Sequence, residues 1–107
     1  MFTDSHCHIT CDRLYTRIDE IIENIKNKNI TSCMIMCTSP EELERAKGLK
    51  KEYPFFKIAF GWFPSDAKEV GDKEIQYLID QTSYLDCLGE IGLDYYWDTS
   101  FNDLQKE

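Results

Sequence analysis

The chain has 107 residues, of which 42% are apolar and 30% charged, enough for one core and a solvated surface within a single domain. Its formal net charge of −8 has the wrong sign for holding nucleic acid by phosphate neutralisation alone. A polyanionic substrate would have to be drawn in locally, for instance by bound metal.

No apolar run approaches the ~18–20 residues that span a bilayer, and the N-terminus carries neither a basic stretch nor an apolar signal region. The five cysteines are Cys7, Cys11, Cys33, Cys37 and Cys87, an odd number that suits reduced thiols better than a disulfide framework. Together these features imply a cytoplasmic protein. Two C-x-x-x-C spacings suggest zinc at first sight, yet Cys33 and Cys37 fall inside an apolar run where small thiols are ordinary core.

The first stretch, Met1 to His8, reads as a strand, followed by a polar turn at Thr10-Cys11-Asp12-Arg13. Leu14, Ile18, Ile21, Ile22 and Ile25 recur at helical spacing, which predicts one amphipathic helix of roughly 14 residues stopped by Asn27-Lys28-Asn29. Ile30 to Cys37 is a second strand, apolar on both sides as in a parallel sheet covered on both faces. Ser39 is placed to cap a helix that has Pro40 at its first position and Glu41 and Glu42 in its first turn, and Tyr53-Pro54 ends that helix after Glu52. Phe55 to Phe60 is a third strand, closed by Gly61-Trp62-Phe63-Pro64. Asp72 is expected to cap a third helix carrying Ile75, Leu78 and Ile79. Asp86 to Glu90 forms a short fourth strand, running on into the segment that ends at Asp98, and Ser100 to Glu107 opens another helix.

Strand and helix thus alternate four times, which implies an α/β fold of parallel strands joined by right-handed crossovers. Four βα units are half of an eightfold barrel, which typically needs ~250 residues. Residues 1–107 therefore read as one partial domain that stops in mid-helix. Either the chain is the N-terminal piece of a longer protein, or its open sheet edges are protected by self-association.

His6 and His8 are the only two histidines in the chain. Residues two apart on a strand point the same way, so both imidazoles project to one side, with Asp4 on the same face behind them. Two neutral imidazoles so held can share a divalent cation. Glu90 lies at the carboxyl end of the fourth strand, as the histidines do on the first, and that end is where active sites assemble in parallel α/β folds. Glu90 either caps a helix beyond its loop or completes the metal site. The histidine pair favours the second role, and Gly89 and Gly92 permit close backbone approach.

Three stretches, Asp4-Ser5-His6-Cys7-His8, Thr38-Ser39-Pro40-Glu41 and Gly89-Glu90-Ile91-Gly92-Leu93-Asp94-Tyr95-Tyr96, closely resemble the TatD-related metal-dependent hydrolases. These are barrel enzymes of the amidohydrolase-like group, and characterised members act as deoxyribonucleases. The resemblance covers the whole chain and implies a (β/α)8 TIM-barrel-type fold, of which this is the N-terminal half. By matching position it implies His6 and His8 as ligands of one divalent metal and Glu90 as a catalytic ligand bridging to a second. It also implies DNA as substrate, cleaved by metal-activated water and held in a groove instead of on a basic patch. The metals could be Zn, Mn, Mg, Ni or Fe, because imidazole and carboxylate donors do not discriminate among them. Asp4 would either steady an imidazole from behind or cap the strand end, Asp94 would contact the loop or the substrate, and Tyr95, Tyr96 and Trp97 would either line the groove and stack on a base or pack the barrel.

Two departures from the family pattern stand out. Phe63 occupies the position where the family usually has a histidine in its G-x-H-P motif, and an apolar ring there cannot bind phosphate, metal or a proton. The family's remaining ligands, two histidines and a late aspartate, lie on later strands, and no histidine follows His8 here. These departures keep two alternatives open: a barrel hydrolase acting on a non-DNA phosphoester or an amide, and a catalytically incomplete metal-binding or assembly module.

Overall fold

The computed structural model describes residues 1–96, 100 and 102–106. Four strands form one sheet in sequence order, all parallel: β1 (Phe2–Cys7), β2 (Ile30–Cys37), β3 (Phe56–Phe60) and β4 (Cys87–Leu88). The helices are α1 (Asp12–Tyr15), α2 (Ile18–Asn27), α3 (Pro40–Glu52), α4 (Asp72–Gln81) and α5 (Asn102–Gln105), with 3₁₀ turns at Pro64–Glu69 and Thr82–Tyr84. The strand order and alternating helices make the described residues half of a barrel wall, as the βα alternation implies.

The core lies between the sheet and the helices. Cys33, Ile35 and Cys37 of β2 and Phe56, Ile58 and Phe60 of β3 alternate onto one face and are buried there. Ile22 and Ile25 of α2 and Leu43, Ala46 and Leu49 of α3 close over them. β2 and β3 run in unbroken register from Cys33 opposite Phe56 to Cys37 opposite Phe60. β1 against β2 is less regular, with register shifts between Phe2 and Thr3 and between Asp4 and Cys7.

Local chemistry explains the best-formed helix. The Ser39 hydroxyl accepts the Glu42 N–H at 3.3 Å, and the Glu42 carboxylate reaches back to the Thr38 N–H and hydroxyl at 2.7 and 2.6 Å. Two otherwise unsatisfied ends are thus tied reciprocally, with Pro40 supplying the fixed φ of the first turn.

Three expectations need correction. The single helix after β1 is two helices, broken at Thr16-Arg17. Arg45 of α3 grips the first piece through the Thr10 carbonyl at 2.9 Å, Asp12 at 2.7 Å and the face of Tyr15 at 4.8 Å. The second piece instead turns Ile22 and Ile25 into the core, so tertiary contacts override the local period. At α4, Gly71 is the cap and Asp72 the first helical residue; the Glu74 carboxylate accepts the Gly71 N–H at 2.9 Å. The fourth strand keeps only Cys87–Leu88, because the backbone turns away after the Gly89 N–H meets the Phe60 carbonyl at 3.1 Å.

Asp86 anchors that short strand. Its carboxylate accepts from Lys50 Nζ at 2.7 Å and from the Ile58 N–H at 2.9 Å, joining α3, β3 and the approach to β4. Burial pushes the Asp86 carboxyl up, but the Lys50 and Ile58 hydrogen bonds together outweigh it and leave the group below the ordinary aspartate value of 3.8. A carboxyl depressed in the folded state contributes stability that is present above its unfolded value and lost as pH falls through the folded one. Asp86→Ala is therefore expected to cost about 1–2 kcal/mol at neutral pH. In urea denaturation that difference shrinks as the pH is taken below the ordinary aspartate range; a constant difference down to strong acid would refute the carboxylate's role.

Candidate metal site

β1 delivers His6 and His8 to the carboxyl edge of the sheet, where their Nε2 atoms are 3.1 Å apart and their rings meet edge to face. Two features beyond the strand hold the pair. Ile9 enters the core and Thr10 is fully buried, so the chain following His8 is fixed, and Arg45 clamps the Thr10 carbonyl. From the other end of the sheet, Glu90 extends its carboxylate so that Oε2 lies 3.5 Å from both imidazole Nε2 atoms. Among the described residues, none from Ile91 to Tyr96 is helical, and the Glu90 carboxylate lies against the imidazoles.

The three side chains are 52%, 39% and 30% exposed, open enough for a ligand to enter. Tetrahedral ligation at about 2.0–2.1 Å separates neighbouring donor atoms by about 3.4 Å, and the three spacings of 3.1, 3.5 and 3.5 Å match that without rearrangement. Two imidazole nitrogens and one carboxylate oxygen form a donor set suited to a divalent ion, with positions left for water or substrate.

Gly61 is a positioning residue that sequence reading gave only as the close of a strand. A Cβ there would stand 2.7 Å from the Ile91 side chain and 3.1 Å from both the Glu90 carbonyl oxygen and the Gly89 carbonyl carbon. Glu90 reaches the histidines because no side chain intervenes at position 61. Arg45 was likewise not singled out, since it lies 35 residues from the Thr10 carbonyl that it holds.

The other candidates fall elsewhere. Asp4 accepts the His6 main-chain N–H at 3.0 Å, and its carboxylate lies within 4.8 Å of the Cys7 and Cys33 thiols. Of its two expected roles this is the local one, holding the β1 backbone and not an imidazole, where the register shift after Asp4 breaks simple alternation. Asp94 accepts the Tyr96 N–H at 3.0 Å, and its own main-chain N–H and carbonyl are bracketed by the Gln105 amide at 2.6 and 2.9 Å. Asp94 thus organises its loop and ties it to α5. Tyr95 and Tyr96 are exposed on that loop, while Trp97 lies outside the described residues. Phe63, with Trp62, Pro64, Ile91, Leu93 and Leu104, lines an apolar cavity of about 500 Å³.

A parallel half-barrel carrying two strand-end histidines and a facing carboxylate makes an α/β protein with a candidate divalent-metal site. The comparisons give the family. The model for the TatD related DNase family matches residues 3–107, and the chain belongs to that family. Among its relatives is the uncharacterized metal-dependent hydrolase YabD of Bacillus subtilis, 30% identical over 109 residues that cover 100% of this chain and 43% of that one. The uncharacterized metal-dependent hydrolase MG009 of Mycoplasma genitalium is 31% identical over 112 residues, covering 99% of this chain and 42% of that one. The crystal structure of YjjV, a TatD homolog from Escherichia coli, superposes with a TM-score of 0.78 at 21% identity, over 98% of this chain and 42% of that one. The chain therefore spans about two fifths of the length of the relatives it matches, and YjjV bears out the barrel fold.

Proposed function

We propose that this chain supplies the metal-binding rim of a divalent-metal-dependent hydrolase that cleaves DNA phosphodiester bonds, and that residues 1–107 are one part of its barrel domain. The convergence of His6, His8 and Glu90 to within 3.5 Å carries this reading, and membership of the TatD related DNase family supports the substrate class.

His6 and His8 would hold one ion through Nε2, and Glu90 would bridge from it to a second. Bound divalent ions supply Lewis-acid polarisation of a phosphoryl oxygen and hydroxide at neutral pH. The chain's own residues do the positioning. Ile9, Thr10 and Arg45 fix the end of β1, Gly61 admits the Glu90 loop, and Asp94 with Gln105 holds that loop in shape. The exposed rings of Tyr95 and Tyr96 offer faces on which a splayed base can stack. With a net charge of −8, attraction for phosphate must come from bound metal at the site.

Among the described residues no helix is long and apolar enough to cross a membrane, and we place the protein in the cytoplasm. Further strands, in the same chain or in a second copy, would close the sheet at the edges of β1 and β4.

One observation favours a second reading. Phe63 contributes to an apolar cavity where the family pattern places a polar ring, which would suit a smaller or less polar phosphoester or an amide. Metal-dependent turnover of single-stranded DNA against that of bis(p-nitrophenyl) phosphate tests the two. Cleavage of DNA that is lost on chelation is expected. Turnover of the small phosphodiester with DNA untouched would establish the second reading, and chelator-insensitive or absent hydrolysis of both by the closed barrel, remaining strands included, would overturn the proposed activity.

A further inference from the structure

The geometry points to a thiol–disulfide exchange site at Cys7 and Cys33, which takes a low-molecular-weight aliphatic disulfide as co-reactant and closes into a β1–β2 crosslink beside the histidine pair. The Cys7 and Cys33 Sγ atoms are 3.2 Å apart, on neighbouring parallel strands. Cys33 sits in register with Asp4 and is only 2% exposed, so an external disulfide cannot reach it first. Cys7 is half-buried at the edge of the core, its thiol also donating to the Met34 carbonyl at 3.3 Å, and as the more accessible of the two it offers the point of entry. This juxtaposition is independent of the metal reading.

The exchange balances in two steps. Cys7 attacks one sulfur of the small disulfide as thiolate; that S–S bond breaks, one small thiol leaves with the proton that Cys7 released, and a mixed disulfide remains on Cys7. Cys33 then attacks the Cys7 sulfur from 3.2 Å, the mixed bond breaks, and the second small thiol departs with the Cys33 proton. The two protein thiols are oxidised by two electrons and the co-reactant is reduced to two thiols. The Asp4 carboxylate, within 4.8 Å of both sulfurs, repels anionic disulfides and attracts cationic ones, so cystamine is the probe of choice.

Closure has a consequence that rests on the metal-site reading. A disulfide brings the sulfurs to about 2.05 Å, so the 3.2 Å gap must shrink by about 1 Å. Cys7 lies between His6 and His8, so any shift of the β1 backbone that closes the gap carries both imidazoles with it. The two imidazoles then lose their common focus with Glu90.

The test uses the purified, metal-stripped protein in a Cys11→Ser, Cys87→Ser background treated with cystamine, then unfolded in denaturant, alkylated and mass-mapped. The expected product has lost two hydrogens and carries a Cys7–Cys33 crosslinked peptide. Cys33→Ser is expected to stop at a cysteamine adduct on Cys7, and Cys7→Ser to leave Cys33 unmodified. A stable adduct on Cys7 with Cys33 still alkylatable, or alkylation of both, would overturn the proposal. Metal titration of the mapped crosslinked form is expected to show about tenfold weaker binding, restored by reduction, as for loss of a group that orients ligands. Equal affinity in the two forms would overturn the coupling. Absence of metal binding in the reduced form would count against the metal site and leave the mapped thiol pair standing.

Discussion

Replacing His6 and His8 together by alanine is expected to abolish divalent-metal binding while leaving the fold in place. The double variant keeps only Glu90, a single carboxylate that is 30% exposed, at a focus where three donor atoms now lie within 3.5 Å of one another. Loss of a group that merely orients a ligand costs about 10–100-fold in affinity, so loss of two direct ligands is expected to exceed about a hundredfold. The cost to the metal-free fold is small, within about 0.5 kcal/mol, because both imidazoles are substantially exposed and face away from the helix-side core. Calorimetric titration with zinc and with manganese, alongside urea denaturation of the stripped proteins, separates these terms. Unchanged affinity in the double variant would show that the ions bind elsewhere.

This separation of site from scaffold also accounts for what the sequence made legible. β2 and α3 are bounded by local chemistry, an apolar run followed by Ser39, Pro40 and Glu42, and their limits match the structure. The histidine pair was visible because strand spacing is local, and Glu90 because both sites sit at strand ends of one parallel sheet. What escaped detection depends on contacts far apart in sequence. The break between α1 and α2 is set by Arg45, whose partners Thr10 and Asp12 precede it by more than thirty residues. The placement of Asp4 turns on a register shift that no periodicity displays. Gly61 reads as an ordinary loop glycine until the Glu90 backbone is seen against it. The thiol pair was hidden for a related reason: Cys33 looked like core, which it is, but its sulfur meets that of Cys7, which lies between the two histidines.

Phe60→Ala is expected to produce the complementary result, a large loss of stability with little change in metal affinity at temperatures where the variant stays folded. The Phe60 ring is fully buried at the end of β3, edge-on to Trp62 at 5.2 Å and to Tyr77 at 5.9 Å. It joins the sheet to α4 and to the turn that follows β3, so its removal leaves a cavity that three separate elements would have to collapse to fill. Truncations of this kind cost about 3–5 kcal/mol, against a total of about 5–15 kcal/mol for an ordinary domain. The Phe60 main-chain carbonyl, which accepts the Gly89 N–H and so helps to aim the Glu90 loop, is retained in the variant. Its ring packs on the helix-side core, away from the donor atoms of His6, His8 and Glu90. Urea denaturation followed by far-UV circular dichroism gives the stability term and low-temperature metal titration gives the affinity. A loss under about 1 kcal/mol would mean that the core does not depend on this ring. A parallel collapse of metal affinity in the folded variant would mean that core and site are not separable, and that the Glu90 loop is aimed by the packing of Phe60 as well as by its backbone.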